Sequence, residues 1–301
     1  MLHTRTTPAE RRRAFREALA SGRLLRVPGA VNPLSAKLIQ ETGFDAVYLS
    51  GAVLAADLGL PDIGLTTSTE VATRAQQITR VTDLPAFVDA DTGFGEPMNA
   101  ARTVQLIEDA GLAGLHLEDQ VNPKRCGHLD GKTVVPAEEM VRKIKAAVDA
   151  RRDPDFLLMA RTDARAVEGL DAAIDRARAY VDAGADAVFP EALADEKEFE
   201  AFRAAVDVPL LANMTEFGKS ALLDAATLEN LGYNIALYPV TLLRLAMGAV
   251  EDGLRTLAAD GHQRALLERM QTRFRLYELL GYEEYAAFDG SVHDFTLPPG
   301  T

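Results

Sequence analysis

Residues 108–118 read E-D-A-G-L-A-G-L-H-L-E. The acids close a helical stretch, Gly111 suits the left-handed residue that ends a helix, and Gly114–Leu117 is a buried run of strand length. The phrase returns at 41–50 (E-T-G-F-D-A-V-Y-L-S), 181–191 (V-D-A-G-A-D-A-V-F-P-E) and 229–239 (E-N-L-G-Y-N-I-A-L-Y-P). Runs of the same kind stand at Leu24–Val27, Ala46–Leu49, Ala86–Val88, Gly114–Leu117, Phe156–Ala160, Ala187–Phe189, Leu210–Ala212 and Ile235–Tyr238. Helical patterns lie between them at Ser68–Val81, Met98–Ala110, Ala137–Ala150, Leu170–Ala183 and Lys219–Leu231, after a first helix over Thr7–Ser21. Continuous apolar strands alternating with helices predict a parallel sheet under helices. Eight of them predict closure into an α/β fold of the (β/α)8 TIM-barrel type.

One domain over residues 1–301 is expected, with a barrel core at about 22–258 and a helical extension at 259–301. Thr241–Leu257 reads as the eighth barrel helix. Gln263–Leu280 reads as one further helix whose stripe, Leu266, Met270, Phe274 and Tyr277, has nothing left to cover in a finished barrel. A homo-oligomer is therefore expected. The tail Tyr282–Thr301, with Pro298-Pro299, reads as loosely ordered. Arg11–Arg13 in the first helix read as a solvated face.

A net charge of −13 without a long basic tract argues against nucleic acid and anionic membranes as partners. A single cysteine allows no internal disulfide, which fits a reducing cytoplasm. The N-terminus, M-L-H-T-R-T-T-P-A-E-R-R-R, has no apolar signal-peptide core, and no uncharged run reaches membrane-spanning length.

In a (β/α)8 barrel, active sites form where the strands end. Here those ends carry Tyr48, Ser50 and Gly51; Asp89 and Asp91; His116, Glu118 and Asp119; Arg161, Thr162 and Asp163; Glu191; Asn213 and Thr215; and Tyr238 with Pro239, followed by Arg244. Ser50, Asp163 and Thr215 could equally be helix caps. Asp89 and Asp91, two apart, face one way on an extended backbone and would repel unless a cation lies near. Mg²⁺ suits such oxygen ligands, and Mn²⁺ is possible. The alternative is a cap beside a salt-bridged acid. Asp62 and Glu118 could hold the ion's waters. Arg161, Arg244 and Arg273, with Lys124 and Arg125, would make a positive pocket for a small polyanion. The fourth strand runs into a loop, K-R-C-G-H at 124–128, that sets Cys126 among polar and cationic neighbours which tune thiol protonation.

K-R-C-G-H, together with V-D-A-D-T-G-F-G at 88–95, Y-L-S-G at 48–51, L-G-L-P-D at 58–62 and F-P-E-A at 189–192, resembles the isocitrate lyase/phosphoenolpyruvate mutase superfamily over essentially the whole chain. The resemblance implies a barrel whose last helices are swapped between the subunits of a tetramer, and a Mg-dependent carbon–carbon lyase that cleaves 2-methylisocitrate to pyruvate and succinate. It implies Asp89 and Asp91 as metal ligands. It implies substrate contacts from Ser50, Gly51, Ala52, Cys126, Gly127, Arg161, Glu191, Asn213, Met214, Thr215, Arg244 and Arg273. Phe189, Leu237 and Pro239 would receive the extra methyl. On that reaction Cys126 is the candidate acid and Tyr48 the candidate base. Two departures stand out: S-G-A where the family has S-G-G, and L-D-G-K after the C-G-H, which is nearer the isocitrate lyase form. Cleavage of isocitrate itself is the nearest alternative, and a phosphonopyruvate or phosphoenolpyruvate mutase the next. A non-catalytic barrel would lack the acids or the thiol, and both are present.

Overall fold

In a computed structural model, which describes residues 4–294, all eight runs form strands. They are β1 Leu25–Pro28, β2 Val47–Leu49, β3 Ala86–Asp89, β4 Gly114–Glu118, β5 Leu157–Thr162, β6 Ala187–Pro190, β7 Leu211–Asn213 and β8 Ile235–Tyr238. Each of these strands pairs with its neighbours in parallel. Two ribbons, β2-β3-β4-β5-β6 and β1-β8-β7, are joined by single bridges from Gly29 to Tyr48 and from Val188 to Leu210. The ring is thus closed, as eight strands covered by helices predict.

The described residues hold twelve α-helices, in chain order α1 Pro8–Ala20, α2 Pro33–Glu41, α3 Gly51–Asp57, α4 Ser68–Thr79, α5 Pro97–Asp109, α6 Ala137–Ala150, α7 Leu170–Asp182, α8 Glu196–Ala205, α9 Ala225–Asn230, α10 Thr241–Asp260, α11 Arg273–Leu280 and α12 Tyr282–His293. The glycines of the repeated phrase, Gly43, Gly111, Gly184 and Gly232, all sit at positive φ, 80° to 107°. A side chain would be strained there, so the helix ends where glycine stands.

Alternation along the strands divides the core. Leu25, Val27, Tyr48, Phe87, Leu157, Met159, Phe189, Leu211, Ile235 and Leu237 fill the barrel interior with Phe15 and Leu19 of α1. The residues between them, such as Val47, Val88, Leu115, Leu158 and Ala160, pack outward with the helices. α1 also corrects the solvated-face expectation. Arg11 and Arg12 are buried, while Arg13 is exposed. Arg11 donates to the carbonyls of Thr79 and Thr82, and Arg12 to those of Leu112 and Glu108, with Asp153 at 2.9 Å. Free carbonyls at helix C-termini need donors, and these guanidiniums supply them.

Two compact units emerge: residues 6–243, which hold the barrel, and residues 244–301 with 1–5. Within the second, the expected single helix over Gln263–Leu280 is broken. A 3₁₀ turn, Arg264–Arg269, gives way to α11 at Thr272, whose side chain caps Arg275 N–H. The tail expected to be loose forms α12 as far as His293; Pro298-Pro299 lie outside the described residues. Leu245, Leu254, Phe274, Tyr285 and Phe288 are exposed in the single chain. In the barrel unit, α9 is shorter than the expected Lys219–Leu231 helix because Asp224 caps its start.

Candidate active site

The C-terminal strand ends enclose a cavity of about 60 Å³. It is lined by Tyr48, Ser50, Ala52, Asp62, Asp89, Lys124, Cys126, Gly127, His128, Arg161, Phe189, Glu191, Asn213, Thr215, Leu237 and Pro239, with Val240. Cys126 and Asp89 therefore face one space. Phe189 and Leu237 continue the inward rows of β6 and β8 to the cavity floor. Residues at i and i+2 of a strand share a face, which is why Arg161 rises above Met159 and Asn213 above Leu211.

Strand alternation does not join the two aspartates. β3 ends at Asp89, and Asp91 turns into the left-handed region at φ 46°, with its N–H donating to Asp89 Oδ1 at 2.9 Å. A non-glycine residue there is strained, and strain of this kind gathers at functional sites. Gly51 opens α3 against the pair; a Cβ on it would lie 2.9 Å from Asp89 Oδ2. Ser50 does cap α3, accepting from Val53 N–H at 3.4 Å, while also lining the cavity.

Carboxylates crowd this end. Lys124 Nζ lies 2.5 Å from Asp62 and 2.8 Å from Asp91. Arg161 reaches Glu118 at 3.3 Å, Glu191 at 3.1 Å and Asp163 at 2.9 Å, and its guanidinium lies 5.0 Å over the Phe189 ring. Glu191 also takes His128 Nε2 at 2.9 Å. Burial raises Asp91 to about 6, reinforced by Asp89 and opposed by Lys124. Burial likewise raises Glu118 well above the carboxylate range. It would raise Asp89 and Glu191 too, but His116, Lys124 and Arg161 around the first, and Arg161 and His128 around the second, hold both below. Neither oxygen of Glu118 accepts a hydrogen bond among the described residues. Asp62, Asp89, Asp91, Glu118 and Glu191 thus outnumber Lys124, Arg161 and His128, so a hard cation suits the surplus of oxygen donors. No ready-made group of three or more His, Cys, Asp or Glu gathers among the described residues, so most of a cation's coordination would come from water or substrate.

Tyr48 sits deeper. Its OH is 2.7 Å from His116 Nε2, and His116 Nδ1 is 3.9 Å from Asp89. Burial, with Asp89 adding to it, holds the phenol far above its ordinary pKa of 10.0, so Tyr48 is not a standing phenolate base. Burial lowers His116 to about 4, leaving a neutral imidazole. Burial raises the Cys126 thiol, only partly offset by the His128 amide, so it carries its proton at neutral pH.

Several expected residues go elsewhere. Met214 alternates away from the cavity into the outer core, where its sulfur takes Leu223 N–H at 3.3 Å. Arg125 is exposed and bonds the Gly131 carbonyl, so it adds nothing to a positive pocket. Arg244 and Arg273 belong to the other unit, in α10 and at the start of α11, and both are exposed. Two residues went unsuspected. Lys132 pairs with Asp163 at 2.6 Å, and Tyr180 donates to the buried Asp119 at 2.8 Å. Local sequence offered no sign of either, because each partner comes from another strand or helix.

A family model described as phosphoenolpyruvate phosphomutase matches residues 15–258. The chain belongs to that family. It is a lyase, as the relatives it matches are. A probable 2-methylisocitrate lyase 2 of Corynebacterium glutamicum is 65% identical over 96% of this chain and 94% of its own length. Among solved structures, a 2,3-dimethylmalate lyase superposes with TM-score 0.89 at 33% identity, covering 98% of this chain and 99% of that one. A phosphonopyruvate hydrolase crystallised with oxalate and Mg²⁺ has TM-score 0.85 at 31% identity, over 95% and 99%. No helix among the described residues is long and apolar enough to cross a membrane.

Proposed function

We propose that the chain cleaves 2-methylisocitrate to pyruvate and succinate, in the cytoplasm, with Mg²⁺ or Mn²⁺ held by Asp89 and Asp91. The observation that carries this reading is one cavity with a protonated thiol, an arginine among carboxylates, and an apolar wall of Phe189, Leu237 and Pro239. When bound, the ion supplies Lewis-acid stabilisation for the half that becomes pyruvate. Asp62 and Glu118 would hold its waters.

The chain's own residues do the rest. Ser50, Gly51 and Ala52 receive the hydroxy-acid end. Arg161, fixed by Asp163, faces the carboxylate that takes up the electron pair of the breaking bond. Cys126 delivers its proton to the carbon next to that carboxylate, which the broken bond has left with the electron pair, and burial keeps the proton on sulfur until then. Tyr48 can take the hydroxyl proton only by passing its own to His116 Nε2. Glu191, Asn213 and Thr215 border the succinate side. A tetramer that exchanges its C-terminal helices covers the exposed apolar faces of α10 to α12.

Cys126→Ser decides the acid: fold and substrate binding should persist while turnover falls at least a hundredfold. A near wild-type rate refutes it. Chelation by EDTA should abolish turnover reversibly, and indifference to EDTA removes the metal. Comparing kcat/KM for 2-methylisocitrate and isocitrate measures the wall, since one methyl in an apolar pocket is worth roughly 1–3 kcal/mol. Sedimentation as a monomer at micromolar concentration would exclude the oligomer.

A further inference from the structure

One buried cation has no part in the reading above. Lys132 closes the cysteine loop, and its side chain is 2% exposed. Its ammonium donates to two acceptors only among the described residues: the Gly127 carbonyl and Asp163 Oδ1, the latter at 2.6 Å. The same Asp163 carboxylate receives Arg161, Nε on Oδ2 at 2.9 Å and Nη2 on Oδ1 at 3.2 Å. A continuous line of bonds therefore runs from the backbone beside the thiol, through Lys132 and Asp163, to the Arg161 guanidinium.

The line has a direction of dependence. Asp163 is held without Lys132, because Arg161 gives it two hydrogen bonds and Asp119 accepts from its N–H at 2.9 Å. Gly127 is different. Among the described residues its carbonyl accepts from no other donor, and the residue lies so close to Arg161 that a Cβ would stand 2.4 Å from Nη2. If the loop lifts, a buried ammonium loses one of its two acceptors, which an interior lysine tolerates poorly. On the other side of Gly127, the loop is fastened by His128, whose Nδ1 accepts from Lys219 N–H at 2.9 Å while Nε2 faces Glu191. Those bonds fix the imidazole, and Leu129 N–H holds the Cys126 carbonyl at 2.9 Å, which leaves the Gly127 carbonyl to Lys132.

We propose that Lys132 is the positioning residue for the proton donor: it pins the Gly127 carbonyl and, through Asp163, registers the Cys126 thiol against Arg161. Precise placement of an acid depends on such supporting bonds as much as on the acid itself. The inference rests on Cys126 being the acid of the proposed lyase.

Because Cys126 is the only cysteine, alkylation by iodoacetamide reports one site. In Lys132→Met the thiol should alkylate at least tenfold faster at every pH from 6 to 9. Its kcat should fall at least tenfold while KM stays within threefold. Lys132→Gln, shorter and neutral, cannot span both acceptors and should show the same two changes to a smaller degree. A residue serving only as counter-charge to Asp163 would lower the melting temperature without moving the alkylation rate. A folded Lys132→Met protein that alkylates at the wild-type rate overturns the proposal. If that variant does not fold, a wild-type alkylation rate in Lys132→Gln overturns it instead. Failure of the acid assignment reads differently: Cys126→Ser would then stay active whatever the alkylation rates show.

Discussion

Replacing Gly127 with alanine tests how closely the cysteine loop is seated. The new Cβ would stand 2.4 Å from Arg161 Nη2, 2.5 Å from Glu191 Cγ and 2.7 Å from Glu191 Cδ, where ordinary contact begins near 3.4 Å. Something must yield by about 1 Å. Arg161 is held by Asp163, Glu118 and Glu191, and lies against Phe189; Glu191 is held by Arg161, His128 and Asn213. Arg161 stands in β5 and Glu191 directly follows β6, whereas the loop lies outside any strand, so it is the part that moves, and Cys126 moves with it. A displacement of about 1 Å at a reacting group can cost roughly 10²-fold in rate, or about 3 kcal/mol of transition-state stabilisation. Stability should fall by less than the ~1–3 kcal/mol of an overpacked core, because an adjustable loop absorbs the strain. Steady-state kinetics with 2-methylisocitrate and urea unfolding measure the two effects separately. A variant with kcat within threefold of wild type would show that the working loop does not sit on the Arg161–Glu191 pair.

Four further outcomes are expected. In Gly51→Ala, a Cβ 2.9 Å from Asp89 Oδ2 and 3.4 Å from Asp91 Oδ1 should weaken Mn²⁺ binding by roughly tenfold, read by electron paramagnetic resonance; an unchanged Kd would move the ion away from this pair. His116, buried and lowered from 6.5 to about 4, stays neutral in the fold while the unfolded chain protonates it. Its stabilising contribution, roughly 3 kcal/mol, is present above pH 6.5 and is lost as pH falls to about 4; His116→Gln should flatten that part of the urea-midpoint profile. Tyr48, Tyr180 and Tyr233 are all raised by burial, so folded-state stability should fall as pH rises past 10, and an ultraviolet titration should show them ionising only with unfolding. Arg12→Met strips donors from the helix-end carbonyl of Glu108 and the loop carbonyl of Leu112, and a partner from the partly exposed Asp153; it should cost about 2–3 kcal/mol in thermal unfolding while kcat per folded molecule is unchanged.

The site was legible where its chemistry is local. Asp89, Asp91 and Cys126 stand in short motifs at strand ends, and all come to one end of the barrel. The reason given for the aspartate pair was nonetheless wrong in detail, since a left-handed turn at Asp91, and not strand alternation, brings the carboxylates together. That Tyr48 would hold its proton through burial beside Asp89 was not legible, because neither influence lies in its neighbouring residues. Arg125 looked cationic and available, and the loop turns it to solvent. Such outcomes depend on dielectric surroundings and partners that no stretch of neighbouring residues specifies.

What the chain determined alone is the alternation of strands and helices, through apolar runs, helix-ending glycines and caps that act within a few residues of one another. Eight such units with an unbroken pattern favour closing into a ring over an open sheet, so the barrel and its polar end follow from local pattern. Tertiary structure decided the rest: which cations are buried, with Arg11 and Arg12 serving helix ends and Lys132 serving the thiol loop, and which acids keep their protons. Those properties arise from groups far apart in the chain meeting where water is excluded, and distance in sequence carries no record of that meeting.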